Sequence, residues 1–124
     1  MTLSDIFKAG GSGVIATSDS KCVPNMAIFA RPNLIDNNTV AWGMTEGRTY
    51  RNLKENPNAA FLYMEPGGSY TGVRLGLKLK EIKESGELLE QIKSKTARIV
   101  GQRGADAVKY VAFFEVTEIR PLIF

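Results

Sequence analysis

Tyr70-Thr71-Gly72-Val73-Arg74-Leu75-Gly76-Leu77-Lys78-Leu79-Lys80 alternates in character along most of its length. Val73, Leu75, Leu77 and Leu79 fall on one side of an extended chain, and Arg74, Gly76, Lys78 and Lys80 on the other. Fully extended the stretch reaches about 35 Å, which suits a strand crossing a closed barrel better than one in a compact open sheet. Ile82 falls out of phase with the leucines, which predicts a bulge or a strand end.

Working outward towards the C-terminus, Ser85 is placed to cap a helix running to about Val100. Leu88, Leu89, Ile92, Ile99 and Val100 share one of its faces, and Lys93, Lys95 and Arg98 favour the negative end of its dipole. Gly101 or Gly104 stops it, and a last strand runs from Tyr110 to Ile119. Towards the N-terminus, the loop Glu65-Pro66-Gly67-Gly68-Ser69 follows a short apolar strand, Ala59–Met64. Before that, residues 45–56 favour helix, with Thr45 as the cap and Asn56-Pro57 as the end. Thr39–Met44, Cys22–Ala30 and Val14–Thr17 read as strands, and Arg31-Pro32-Asn33 interrupts pairing because proline has no N–H to donate. A short opening helix, Leu3–Ala9, is capped by Thr2 or Ser4. Strands come in runs and outnumber helices, which argues against a doubly wound parallel sheet. The expectation is a mainly β fold, a six-stranded antiparallel barrel with flanking helices, formed by residues 1–124 as one domain.

The composition narrows the chemistry. The chain contains no histidine, which removes Ser-His-Asp and Cys-His nucleophile systems and the commonest metal ligand. With Cys22 alone, a zinc site of nitrogen and sulfur ligands is also excluded, so no metal is expected. Cys22 cannot form an intrachain disulfide, no apolar run approaches the ~20 residues of a membrane span, and the first residues lack the pattern of a secretory signal. A cytoplasmic, non-membrane protein is therefore expected. The net charge of +3 is modest and its basic residues are scattered. Any enzymatic role would rest on a cofactor, with the protein positioning it.

Three segments are candidates for binding one. In Trp42-Gly43-Met44-Thr45-Glu46-Gly47-Arg48-Thr49-Tyr50-Arg51-Asn52, a strand end delivers two glycines, two hydroxyls and Arg48 to the start of a helix, whose open N–H groups and dipole favour a phosphate. Taken alone, such a segment is more often an ordinary helix start. Pro24-Asn25-Met26-Ala27 sets an amide with donors and acceptors in a run of otherwise apolar residues, or else holds a half-exposed strand asparagine. Pro66-Gly67-Gly68-Ser69-Tyr70-Thr71-Gly72 is either a place where glycines let backbone approach a planar ligand, with Thr71 to bond it, or a flexible hairpin loop. No catalytic residue can be named: GxGxxG, the P-loop and paired carboxylates are all absent.

The glycine-rich start, Val14-Ile15-Ala16-Thr17, Pro24-Asn25, and then Gly47-Arg48-Thr49 with Asn52-Leu53 and Asn56-Pro57 together resemble the FMN-binding split-barrel superfamily, the relatives of pyridoxamine 5′-phosphate oxidase, and its small FMN-binding proteins in particular. The resemblance implies FMN as cofactor, with Arg48 and Thr49 on its phosphate and Asn25, Met26 and Ala27 along the flavin. Gly43, Met44 and Thr45 would support the ring or ribityl chain, Tyr70 and Thr71 would approach the ring, and Asn52 would belong to the same set. It further implies a homodimer with the flavin at the interface, for which the apolar Phe113, Phe114, Leu122, Ile123 and Phe124 are the candidate surface. Function would then be that of a small oxidoreductase or electron carrier acting through flavin N5, with a small-molecule or protein redox partner. Extra basic and histidine residues that grip vitamin B6 substrates in larger members are missing, so vitamin B6 oxidation is not implied. Two alternatives stay open: a barrel binding the deazaflavin F420, and a non-enzymatic basic barrel binding nucleic acid through Arg74, Lys78 and Lys80. Few aromatics accompany those charges, and no nucleic-acid partner is expected.

Overall fold

The computed structural model describes residues 2–7 and 10–123. The elements run α1 (Leu3–Ile6), β1 (Ser12–Ser18), β2 (Pro24–Ala30), β3 (Asn33–Asp36), β4 (Thr39–Met44), α2 (Arg48–Glu55), β5 (Asn58–Met64), β6 (Gly72–Lys83), α3 (Glu87–Val100), α4 (Gln102–Ala107) and β7 (Tyr110–Pro121). The strands form one seven-stranded antiparallel sheet in the order β2-β1-β5-β6-β7-β4-β3.

The strand beyond the expected six is β3. Pro32 does break the chain after Ala30, but Asn33–Asp36 then pairs with β4 across the Asp36-Asn37-Asn38 turn, with a bulge between Leu34 and Asp36. At four residues with little alternation, it carries almost no periodic signal. The long strand β6 starts at Gly72 and ends at Lys83, later at both ends than expected. Its register slips where Ile82 predicts a slip: Leu79 faces Phe114 and Glu81 faces Phe113, so Lys80 is the extra residue. The bulge turns Ile82 back towards the core, against which it packs.

Two layers bury β4 on both faces. Val40, Trp42 and Met44 point into the barrel and join Ile15, Phe61, Tyr63, Leu75 and Phe114, while Leu3, Ile6 and Phe7 of the opening segment pack into the same core. Ala41 on the opposite face meets Leu89, Val108 and Val111, which seat α3 outside the barrel. A Cβ on Gly43 would stand 2.6 Å from Ile92 Cγ2, so the close seat of α3 requires glycine there.

The helix starts differ from expectation in one respect. Thr2 caps α1 with a reciprocal bond from Asp5, as predicted; the predicted helix end at Lys8-Ala9 lies outside the described residues. For α2 the N-cap is Gly47, not Thr45, and for α3 it is Gly86 at φ +124°, not Ser85; neither supplies a side-chain bond. Gly101 ends α3 and at once begins the short α4, which holds Gly104 and was not expected.

The sheet curls until its margins approach each other. Among the described residues no ladder joins β2 to β4, yet Trp42 Nε1 donates to the Ala30 carbonyl at 2.8 Å across that gap. No described helix is long and apolar enough to cross a membrane.

Candidate functional site

The gap between β2 and β4 widens below the indole bond into a cleft of about 480 Å³, within the range of small-molecule sites. One wall is β2 from Asn25 to Phe29, whose outer edge carries backbone N–H and C=O groups that no neighbouring strand takes up. The other wall is the end of β4, Gly43-Met44-Thr45, followed by the first turn of α2, Gly47 to Tyr50. Because Gly47 caps α2 without a side chain, the first-turn N–H groups stay open to an outside acceptor. Thr49 is buried beside them and Arg48 is exposed. The loop that leads in is held by Arg51, whose guanidinium donates to the Glu46 carbonyl at 3.2 Å.

Tyr50 is fixed from two sides. Its ring stacks on Tyr110 with centroids 3.9 Å apart and planes 8° from parallel, and Lys54 Nζ stands 5.3 Å from its centroid. A hydrogen bond with Tyr50, then burial and the nearby Glu46, push the Tyr110 phenol up to about 12. Tyr110 is therefore neutral around pH 7 and offers no base. Among the described residues no group of three or more His, Cys, Asp or Glu side chains gathers to hold a metal. The cleft can bind an anion and an extended polar molecule, but it contains no acid–base pair.

Behind the cleft, α2 is tied to the barrel by polar bonds. Asn52 Nδ2 donates to Thr17 Oγ1 at 3.1 Å, both residues being buried (6% and 5% exposed). Asn56 Nδ2 donates to Ser18 Oγ at 3.0 Å, and Glu55 Oε1 accepts from the Ser20 N–H at 3.1 Å. These bonds to the Ser20 hydroxyl and N–H hold the Glu55 carboxyl below the usual carboxylate range.

No protein-family model matches the chain, and no curated protein matches it in sequence. Solved structures do match its fold. An FMN-binding protein from Syntrophomonas wolfei superposes with a TM-score of 0.77 at 23% identity, covering 90% of this chain and 77% of that one. An F420 reductase gives 0.72 at 16% identity, with 94% of each chain covered. A Clostridium acetobutylicum protein of the pyridoxinephosphate oxidase family gives 0.66 at 16% identity, covering 91% and 79%. The chain has the split-barrel fold of these proteins.

In this split barrel, Asn25, Met26, Ala27, Gly43, Met44, Thr45, Arg48 and Thr49 all line the one cleft, although they come from three segments of sequence. Asn52 does not line it; it lies in the seam between α2 and β1. Tyr70 and Thr71 also lie elsewhere, on the loop between β5 and β6. There Tyr70 is 76% exposed at φ +56°, and the Thr71 hydroxyl bonds Ser69 at 2.9 Å. Gly72 serves the sheet, since a Cβ there would collide with the Tyr63 carbonyl. Ile28 and Phe29 line the cleft without having been singled out, and Gly47 and Tyr50, which stood in the phosphate segment without a role of their own, line it as well. Phe29 shares the alternation of Asn25 and Ala27, and Tyr50 falls in the first helical turn after Arg48; those two spacings are the signals that would have found them.

A second groove of the same volume crosses the outer wall of the split barrel, floored by Val14, Ala16, Ala60 and Gly76. It is apolar, and its arginines are engaged: Arg74 Nε donates to the Pro121 carbonyl at 2.9 Å, and Arg120 Nε pairs with Glu118 at 2.9 Å. Lys78 stands opposite Glu115 in the ladder, so acids interleave the stripe considered for nucleic acid. Of the apolar residues put forward for a dimer surface, Phe114 is core, Phe113 packs beneath α3, Leu122 is buried, and only Ile123 is exposed. Phe124 lies outside the described residues. Near that groove the exposed apolar side chains include Met26 (74%), Ile28 (79%), Leu62, Met64 and Ile119.

Proposed function

We propose that the chain is an FMN-binding flavoprotein of the cytoplasm, a small oxidoreductase or electron carrier. The observation that carries this reading is the meeting, in one cleft, of the uncapped α2 start with Arg48 and Thr49 on one side and the free edge of β2 on the other. These residues fit the cofactor. The first-turn N–H groups, the Thr49 hydroxyl and the Arg48 fork would take a terminal phosphate. Asn25 and the β2 backbone edge would meet the polar rim of the flavin, and Gly43, Met44 and Thr45 would flank it from β4. When bound, the flavin supplies hydride or single-electron transfer at N5. The protein's part is to bind, orient and exclude water; it contributes no proton-transferring residue that the geometry marks out.

A second copy of the chain is proposed to cover the apolar outer wall. Met26 lines both that groove and the cleft, so a partner seated there would also close the open side of the flavin site. One observation favours F420 as a second reading. Arg51 and Lys54 follow Arg48 at three-residue steps on α2, continuing positive charge past the phosphate end, where F420 carries an anionic tail. The visible spectrum of the purified protein, with mass identification of any released molecule and titration of the stripped chain with FMN and with F420, tests both. Tighter binding of FMN is expected; a chain that binds neither overturns the redox assignment.

A further inference from the structure

We propose that Asn52 is a positioning residue: through Thr17 it fixes the roll of α2 on the barrel and so aims the phosphate cradle into the cleft. The inference rests on the FMN reading and extends it to a residue that does not line the cleft.

α2 is short, and Leu53 is the large aliphatic side chain it buries deeply. Apolar burial has no preferred direction, so Leu53 by itself resists a roll of the helix little, and the Tyr50 ring stacked on Tyr110 can still slide in its own plane. Hydrogen bonds weaken steeply with distance and angle and therefore resist that roll. Asn52, Glu55 and Asn56 are spaced i, i+3, i+4 and lie along one side of α2. Their respective partners Thr17, Ser20 and Ser18 are consecutive or nearly so, at the end of β1 and in the turn that leads into Pro24-Asn25. One seam therefore holds both walls of the cleft, the α2 start and the β2 start, against each other.

The Asn52–Thr17 bond is the buried member of this seam, shielded from competing water. Without it, a roll of about 25° would move backbone atoms at the ~2.3 Å helix radius by roughly 1 Å. That displacement spans the difference between a good hydrogen bond and none. The phosphate end of a ligand would lose its aim, while the contacts made along β2 would stay.

The test compares two probes, FMN and riboflavin, which share ring and ribityl chain and differ in the phosphate. Asn52→Ala and Thr17→Val, which deletes the acceptor at nearly constant volume, are expected to weaken FMN binding by about tenfold, as for loss of a well-aligned charged contact. Riboflavin binding should change by less than about twofold on the same ground, Thr17→Ser should restore the wild-type ratio, and the ³¹P resonance of bound FMN should move in Asn52→Ala. If either buried variant fails to fold, Asn56→Ala in the part-buried end of the seam should still lower the preference for FMN over riboflavin. Equal losses for FMN and riboflavin, or an unchanged ratio in every folded variant, overturn the positioning role while leaving the FMN site standing. A wild-type chain that binds neither probe overturns the FMN reading and this inference together.

Discussion

Arg48 and Gly43 show how differently two residues of one cleft earn their places. Arg48 is exposed and its proposed role is on a ligand; under that proposal Arg48→Ala should leave the melting temperature nearly unchanged and weaken FMN at least about tenfold in a fluorescence-quenching titration, the loss of a charged hydrogen bond of about 1.5–3 kcal/mol. Unchanged affinity would move the phosphate elsewhere. Gly43 is required by the protein itself. A methyl group there meets Ile92 at 2.6 Å, so Gly43→Ala should destabilise by about 1–3 kcal/mol through overpacking, read as a lower denaturant midpoint. The sequence marks both positions, but as one motif. It cannot separate the side chain that lines the cleft from the position that faces a helix, because α3 arrives from more than forty residues downstream.

At the scale of elements, what a strand or helix does alone was legible and what its neighbours do to it was not. The β6 alternation and the Ile82 phase break are written in local spacing, and the structure reproduces both. β3 was hidden, since its pairing depends on β4 and its four residues are too few to show a period. Asn52 was legible as a helical asparagine in a familiar string, yet its partner Thr17 lies 35 residues away, so its place in the seam could only come from the fold. The same seam has a testable pH response. The folded pKa of Glu55 is depressed, so its bond to Ser20 is fully present above the ordinary glutamate range and is lost as pH falls through the lower folded value. The Ser20 amide proton resonance should therefore titrate with a midpoint below the ordinary value of 4.5, and Glu55→Gln should abolish that titration. A midpoint at or above 4.5 would mean that the bond does not form in solution.

For the whole molecule, the barrel class was readable from strand number and the long β6, whereas the exposed apolar surface was not. Phe113 and Phe114 serve the interior, and the outward apolar side chains of the wall include Met26, Ile28, Leu62 and Met64, which alternate with buried or half-buried neighbours along their strands, and Ile119. If a second copy covers that wall, sedimentation of the wild-type chain should give twice the monomer mass, and Met26→Glu with Leu62→Glu should give monomers that still fold; a monomeric wild type would remove the dimer. Trp42 adds a property of a different kind. It is the only tryptophan in the sequence, it is buried at the junction of the two sheet margins, and the Phe29 ring of the cleft wall stands edge-on to it, 6.5 Å between centroids. Tryptophan emission from this protein, excited at wavelengths the four tyrosines do not absorb, therefore originates at one known spot beside the cleft. Occupancy of the cleft and separation of the margins can both be followed as changes in intensity and wavelength, with no label attached and no second indole to subtract.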